Sequence, residues 1–209
     1  MKTKASTVRT VGILSICLPF WFAIVYFIMS SIRPEYSHYT KAISELGSVD
    51  APNRWVWNVC GYILPGMIVA MLGFAIATVF QSDKGIRLAS VGLIVSGLLM
   101  AMSGVFPGDF DNRSSFTMVM HAIGSFGSFI GFLICGFSLP RIMRLHSNWA
   151  SFAWPSLVLI LLSIVTGFLR TGDMPGLGQR LGFACFFFWV GLIGFAMARN
   201  ASPQPNKTI

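Results

Sequence analysis

An all-α bundle of about six membrane-spanning helices, with both chain ends in the cytoplasm, is the fold class this sequence predicts. Three observations predict it. The chain is 55% hydrophobic and only 11% charged, six uncharged apolar segments recur along it, and positive charge is concentrated in alternate connections. A soluble domain spends about a quarter of its residues on charge, so the deficit implies that much of the surface faces hydrocarbon.

The apolar segments are 11–29, 56–80, 88–106, 116–139, 151–169 and 181–198. Each has roughly the 18 to 25 residues a helix needs to cross about 30 Å of hydrocarbon. Their glycines and prolines are tolerable, because neighbouring helices satisfy loosened backbone groups. The first segment follows Lys2, Lys4 and Arg9 as a signal peptide would. Its apolar core exceeds the usual span of about 7 to 15 residues and no small-x-small site follows, so it reads as a retained first helix. Residues 1–200 then form one transmembrane domain, and 201–209, with Pro203 and Pro205, a disordered cytoplasmic tail. Cys17, Cys60, Cys135 and Cys185 all fall in apolar segments without CxxC spacing and read as small buried hydrophobes.

Charge sets the orientation. With six crossings, nine basic residues and one acid, Asp83, share the side of the N-terminus; six basic and six acidic residues share the other. The whole net charge of +8 therefore sits on the N-terminal side, which the positive-inside rule places in the cytoplasm of a bacterial or archaeal cell. The basic excess is accounted for by topology, and nucleic-acid binding is not indicated. The inner connections 81–87 and 141–150 hold little besides charge, with Trp149 and Trp154 as interfacial anchors.

Acid–base variety concentrates outside. The first outer connection, 31–55, is long enough to be a lid or docking surface; it carries Ser44, Glu45 and Arg54, with Asn58 just beyond, and residues 39–46 suit a short interfacial helix ended by Gly47. The second turns at Pro107-Gly108, carries Asp109, Asp111 and Arg113, and feeds a helix capped by Ser114 or Ser115. Along that helix His121, Ser125 and Ser128 form a polar stripe, and Gly124, Gly127 and Gly131 admit a close neighbour. A histidine at this depth is expected to face a protein interior or a wet cavity. The third connection holds Arg170, Asp173 and Arg180; with Arg180 opening the last helix against its dipole, an anionic partner is expected. A faint likeness between residues 103–109 and 166–173 leaves a duplicated hairpin open.

Three functions fit these residues. The charges can lock helix ends to one another. The arginines can bind an anionic lipid or another small-molecule amphiphile, since guanidinium forks suit phosphate and carboxylate. Or His121, oriented by Asp109 or Glu45, can act as acid or base on a lipid. No metalloprotease, serine-hydrolase or P-loop signature is present, three histidines make a metal or haem site improbable, and no cofactor is implied. His121, Asp109 and Arg180 are expected to converge, with Ser44 or Glu45 covering them.

Ile43-Ser44-Glu45-Leu46-Gly47, Arg54-Trp55-Val56-Trp57-Asn58, Gly104-Val105-Phe106-Pro107 with Asp109, His121, and Gly178-Gln179-Arg180-Leu181 together resemble the domain-of-unknown-function 998 family of prokaryotic integral membrane proteins. The resemblance covers almost the whole chain in order and implies a membrane protein without an established activity; Gln179 stands where the family would have an acid. The first outer loop, Ile43 to Gly47 with Pro52-Asn53-Arg54, is also similar to that of six-helix autophagy-modulator and GPI-lipid-remodelling proteins, which implies lipid handling.

The topology is directly testable. Reporter fusions after Lys84, after Arg144 and at the C-terminus should report cytoplasm, and fusions near Asp50, Asp111 and Gly176 the outside. One reversed loop breaks the scheme.

Overall fold

The structure, a computed structural model, describes the backbone of residues 2–169 and 174–200 and the side chains from residue 5 onward among them. Among the described residues there are six long apolar helices: α1 (Lys2–Ser31), α2 (Arg54–Val79), α3 (Ile86–Val105), α4 (Phe116–Met143), α5 (Ser147–Phe168) and α6 (Pro175–Asn200). No strand occurs among the described residues. Each helix packs on its sequence neighbours, and α6 returns to α1, closing a ring. Phe74, Phe126 and Phe168 are exposed on the ring's outside, a surface that only hydrocarbon covers without cost.

Within the ring the core is aromatic. Phe22 of α1 stacks on Phe183 of α6 at 5.4 Å, and Phe132 of α4 meets Trp189 edge-on at 5.2 Å. The Trp189 indole N–H donates to Ser156 Oγ at 2.7 Å, so its polar atom is satisfied inside the bundle. Glycines bring the helices together: a Cβ on Gly97 of α3 would lie 2.4 Å from the Gly66 carbonyl of α2, and one on Gly131 of α4 would lie 2.6 Å from the Gly92 carbonyl of α3. Apolar side chains gain little by leaving lipid for protein, so close backbone approach is what makes such contacts favourable.

Several boundaries and environments differ from the sequence reading. The last helix starts at Pro175, in the position where a missing N–H costs nothing, so Arg180 sits in its second turn and not at its start. The expected interfacial helix is a single 3₁₀ turn, Ile43–Gly47. Of the cysteines only Cys135 is buried; Cys17 is exposed and Cys60 and Cys185 lie between, because a lipid-facing thiol has no need of burial. Trp149 is buried edge-on against Phe80 at 4.8 Å and is not an interfacial anchor, whereas Trp154 is exposed. α2 is interrupted by a π turn, Asn58–Ile63. Pro65 follows it and cannot donate to the preceding turn, and the loosened Cys60 carbonyl accepts the Trp21 indole N–H at 2.9 Å. The tail 201–209 and the 170–173 part of the hairpin likeness lie outside the described residues.

The connections gather at two opposite ends. At the end that carries the N-terminus, His146 Nε2 donates to the Asp83 carboxylate at 3.0 Å, tying the α2–α3 and α4–α5 connections together. At the other end the long first connection folds down onto the bundle.

The glycine contacts generate a test. Gly97→Leu meets backbone atoms that cannot move aside and should destabilise the bundle by at least about 1–3 kcal/mol, seen as a lowered unfolding midpoint in detergent. Leu98→Ala, on the lipid face, should leave that midpoint near wild type.

Candidate functional site at the capped end of the bundle

The polar residues of the capped end divide into those that hold the first connection and those that face outward from it. Ile43 and Leu46 insert their side chains into the mouth of the bundle at 1% and 0% exposure, and the backbone around them finds partners in turn. The Ile43 N–H donates to Gln179 Oε1 at 2.7 Å, the Val49 N–H to the Gly108 carbonyl at 3.0 Å, and the Gly176 N–H to the Tyr39 carbonyl at 2.8 Å. Asn58 Nδ2, buried, donates to the Gly47 carbonyl at 3.0 Å. Satisfying these groups lets a loop lie against a membrane domain.

Arg180 is the centre of this cap. Its Nε donates to the Tyr26 hydroxyl at 2.6 Å, Nη1 to the Lys41 carbonyl at 2.9 Å, and Nη2 to the Tyr36 hydroxyl. The guanidinium carbon also lies 5.4 Å and 5.2 Å from the centroids of those two rings. Each tyrosine passes a bond onward: Tyr36 donates to the Ala42 carbonyl at 2.9 Å, and Tyr26 bonds His38 Nδ1. The partners found are neutral oxygens and ring faces where the sequence suggested an anion. Burial pushes the Tyr36 hydroxyl well above the ordinary tyrosine range, against the opposing pull of Arg180, so it stays a neutral donor and acceptor.

Other residues singled out from sequence serve the same cap. Glu45 Oε1 accepts the Ala42 N–H at 2.7 Å and its other oxygen pairs with Lys41 at 3.0 Å, while its carbonyl accepts Arg33 Nη1 at 2.6 Å. Ser44 is buried beside it. Asp109 accepts the Asn112 N–H at 2.9 Å, closing its own turn, and Ser115 caps α4 by accepting the Met118 N–H at 3.3 Å. Arg113 is exposed. Arg170 and Asp173 lie outside the described residues.

His121 lies in a second cluster. Its Nδ1 contacts two carbonyls, Ser103 at 2.9 Å and Phe106 at 3.0 Å. Carbonyls only accept, so Nδ1 carries a proton, and in the neutral imidazole Nε2 holds the lone pair. Gly108, next to Asp109, lies against the ring: a Cβ there would be 3.6 Å from His121 Cδ2. The serine stripe beneath serves the α3 interface, with Ser125 bonding Ser103 at 3.1 Å and Ser128 bonding Ser96 at 3.3 Å. His121 and Arg180 are separated by three rings in succession: Tyr62 is 5.9 Å from His121, Trp57 6.0 Å from Tyr62, and Tyr26 6.4 Å from Trp57. Among the described residues no hydrogen bond or ion pair joins His121, Asp109 and Arg180 directly. No three His, Cys, Asp or Glu side chains gather there either.

An open cleft of about 390 Å³ lies beside the cap, lined by residues 51–56. Arg54 stands in it, donating to the Val49 carbonyl and lying 5.8 Å over the Trp55 ring. Trp55 and Val56 are 51% and 53% exposed.

Six apolar helices in a closed ring, one end capped by its own loop, define an integral membrane protein. The chain belongs to the DUF998 family, proteins of unknown function, whose sequence profile matches residues 16–196. Neither a curated protein nor a solved structure matches it.

Sequence reasoning missed Tyr26, Tyr36 and His38 as members of the cap. The available signal was a tyrosine near a helix end, whose ring is at home in hydrocarbon and whose hydroxyl needs a polar partner.

Two measurements follow. Arg180→Ala removes three charge-assisted bonds that lie partly open to solvent, so the net loss is about that of one such bond held away from water, roughly 1.5–3 kcal/mol. Amide exchange of residues 39–47 should then accelerate by about ten- to a hundredfold, while Arg113→Ala leaves it unchanged. Tyr36 adds a pH dependence. Its proton is held more tightly docked than undocked, so docking is constant below about pH 10 and weakens above it, where a free tyrosine ionises. Exchange of the same amides should rise there, and Tyr36→Phe should remove that step.

Proposed function

We propose that this is a multi-pass protein of the prokaryotic plasma membrane, with both termini cytoplasmic, that binds an anionic amphiphile of the outer leaflet at the Arg54–Trp55 cleft. The observation that carries the reading is the position of Arg54. It stands in an open cleft of about 390 Å³ at the start of α2, with one guanidinium bond spent on the Val49 carbonyl and the rest of the fork available. A planar fork matches phosphate or carboxylate oxygens, and the positive end of the α2 dipole adds to it. The exposed Trp55 and Val56 offer the ring and aliphatic surface that belong at the headgroup boundary. Orientation rests on the charge asymmetry, +8 on the side of the termini and none on the capped side.

Within this reading the arginines differ in role. Arg33 and Arg180 are committed to the loop, so the lock expected of the outer charges is their contribution. Glu45 and Asn58 hold the loop that precedes the cleft, and Ser44 is buried within it. A second reading, catalysis on a bound lipid, is favoured by one observation: the Ser103 and Phe106 carbonyls hold a proton on His121 Nδ1, which in the neutral ring leaves the Nε2 lone pair for a general base.

Titration of dihexanoyl phosphatidic acid into the detergent-solubilised protein should change tryptophan fluorescence in a saturable way. Arg54→Ala should weaken binding by about tenfold, and Trp55→Phe should abolish the signal. An unaltered titration in both variants rejects the site. Turnover of the added lipid that His121→Gln abolishes, with binding intact, would establish the catalytic reading.

A further inference from the structure

A groove of about 290 Å³ runs between α3 and α4 on the outside of the ring, at the level of the hydrocarbon. Leu88 and Val95 wall it on α3, Ile130 and Ile134 on α4, and Gly127 and Gly131 deepen it where side chains would otherwise fill the seam. Every lining residue is aliphatic or glycine, so nothing in the groove hydrogen-bonds or carries charge.

The end of the groove nearest the N-terminal side is different. Arg87 immediately precedes Leu88, and Arg141 lies seven residues beyond Ile134, on the same face of α4 and roughly 10 Å further along its axis. Both arginines are exposed. Neither side chain has a hydrogen bond or ion pair with another described residue, in contrast to Arg33, Arg54 and Arg180, which are all engaged. An aliphatic channel with two uncommitted guanidinium groups at one mouth has the charge and polarity of one molecule in reverse: a hydrocarbon chain ending in a phosphate.

We infer that the α3–α4 groove holds an acyl chain of an anionic glycerophospholipid from the leaflet on the N-terminal side, with Arg87 and Arg141 on its phosphate. A second copy of the chain is the competing occupant. In a membrane two copies share one orientation, so a two-fold contact through this groove would set Arg87 and Arg141 of each copy against those of the other, a like-charge arrangement that disfavours it. The site stands at the opposite end of the bundle from the Arg54 cleft and is independent of it.

Native mass spectrometry of the full chain, extracted in mild detergent and equilibrated with phosphatidylglycerol or with phosphatidylcholine of the same chains, tests the assignment. Wild type should retain phosphatidylglycerol in preference. R87Q/R141Q should hold it about tenfold more weakly and lose the preference. Ile130→Trp, a change at an already lipid-exposed side chain, fills the groove and should reduce retention of both lipids. Arg54→Ala should leave this population as in wild type, so the two sites fail separately. Undiminished phosphatidylglycerol in R87Q/R141Q overturns the inference. So does an Ile130→Trp variant that keeps its lipid and shifts the proportion of dimer instead.

Discussion

A guanidinium presents five N–H groups on one rigid plane and can hold several acceptors at fixed angles. At the capped end of this bundle the surrounding structure is arranged about the fork of Arg180. Residues 32–53 lie across the mouth of a membrane domain, where the backbone groups that become buried need partners from the protein itself. Arg180 fixes Tyr26 at the end of α1, Tyr36 within the loop and the Lys41 carbonyl beyond it. With those points fixed, Glu45 closes the 3₁₀ turn and Asn58 meets the Gly47 carbonyl. Ile43 and Leu46 then sink into the interior. The hydrophobic burial of the loop is made possible by a polar scaffold that holds its backbone in register.

The six spans could be read from sequence because a charge inside hydrocarbon costs several kcal/mol, so its exclusion leaves long legible blanks. The start of α6 could not be read so well. Residues 175–180 are glycine-rich and polar, and they become helical because the loop docks against them through Gly176 and Gln179. The candidate site was legible residue by residue and not pair by pair. Arg180, Asn58, Glu45 and His121 all occupy positions of consequence, yet the partners of Arg180 lie far along the chain, with Tyr26 and Arg180 separated by 154 positions. The dipole argument called for an anion beside Arg180. The nearby Glu45 carboxylate is engaged by Lys41 and the Ala42 N–H, and tyrosine hydroxyls and ring faces take the cation instead.

The two ends and the middle of the bundle are held by different forces. In the middle, helices meet glycine to glycine, and contact is dispersion between closely set backbones. At the capped end a network of charge-assisted bonds does the joining. At the other end the bond between His146 and Asp83, backed by Phe80, joins two short connections. A perturbation of the cap therefore changes the order of the loop without separating the helices, and a perturbation of the glycine seams does the reverse.

The π turn of α2 bears on how that helix came to carry both a lipid-facing wall and the floor of the cap. Within residues 58–63 the chain holds one more residue than an α-helix would over the same rise. One surplus residue turns everything before it by about 100° relative to everything after it. Trp57 and Asn58 are thereby brought inward to meet the loop while Leu64 and Met67 keep their outward bearing. Deleting a single residue from this stretch would restore a regular helix of the same length in the membrane. It would also swing the buried indole and the amide that holds Gly47 away from the interior, trading the seat of the cap for a more perfect rod.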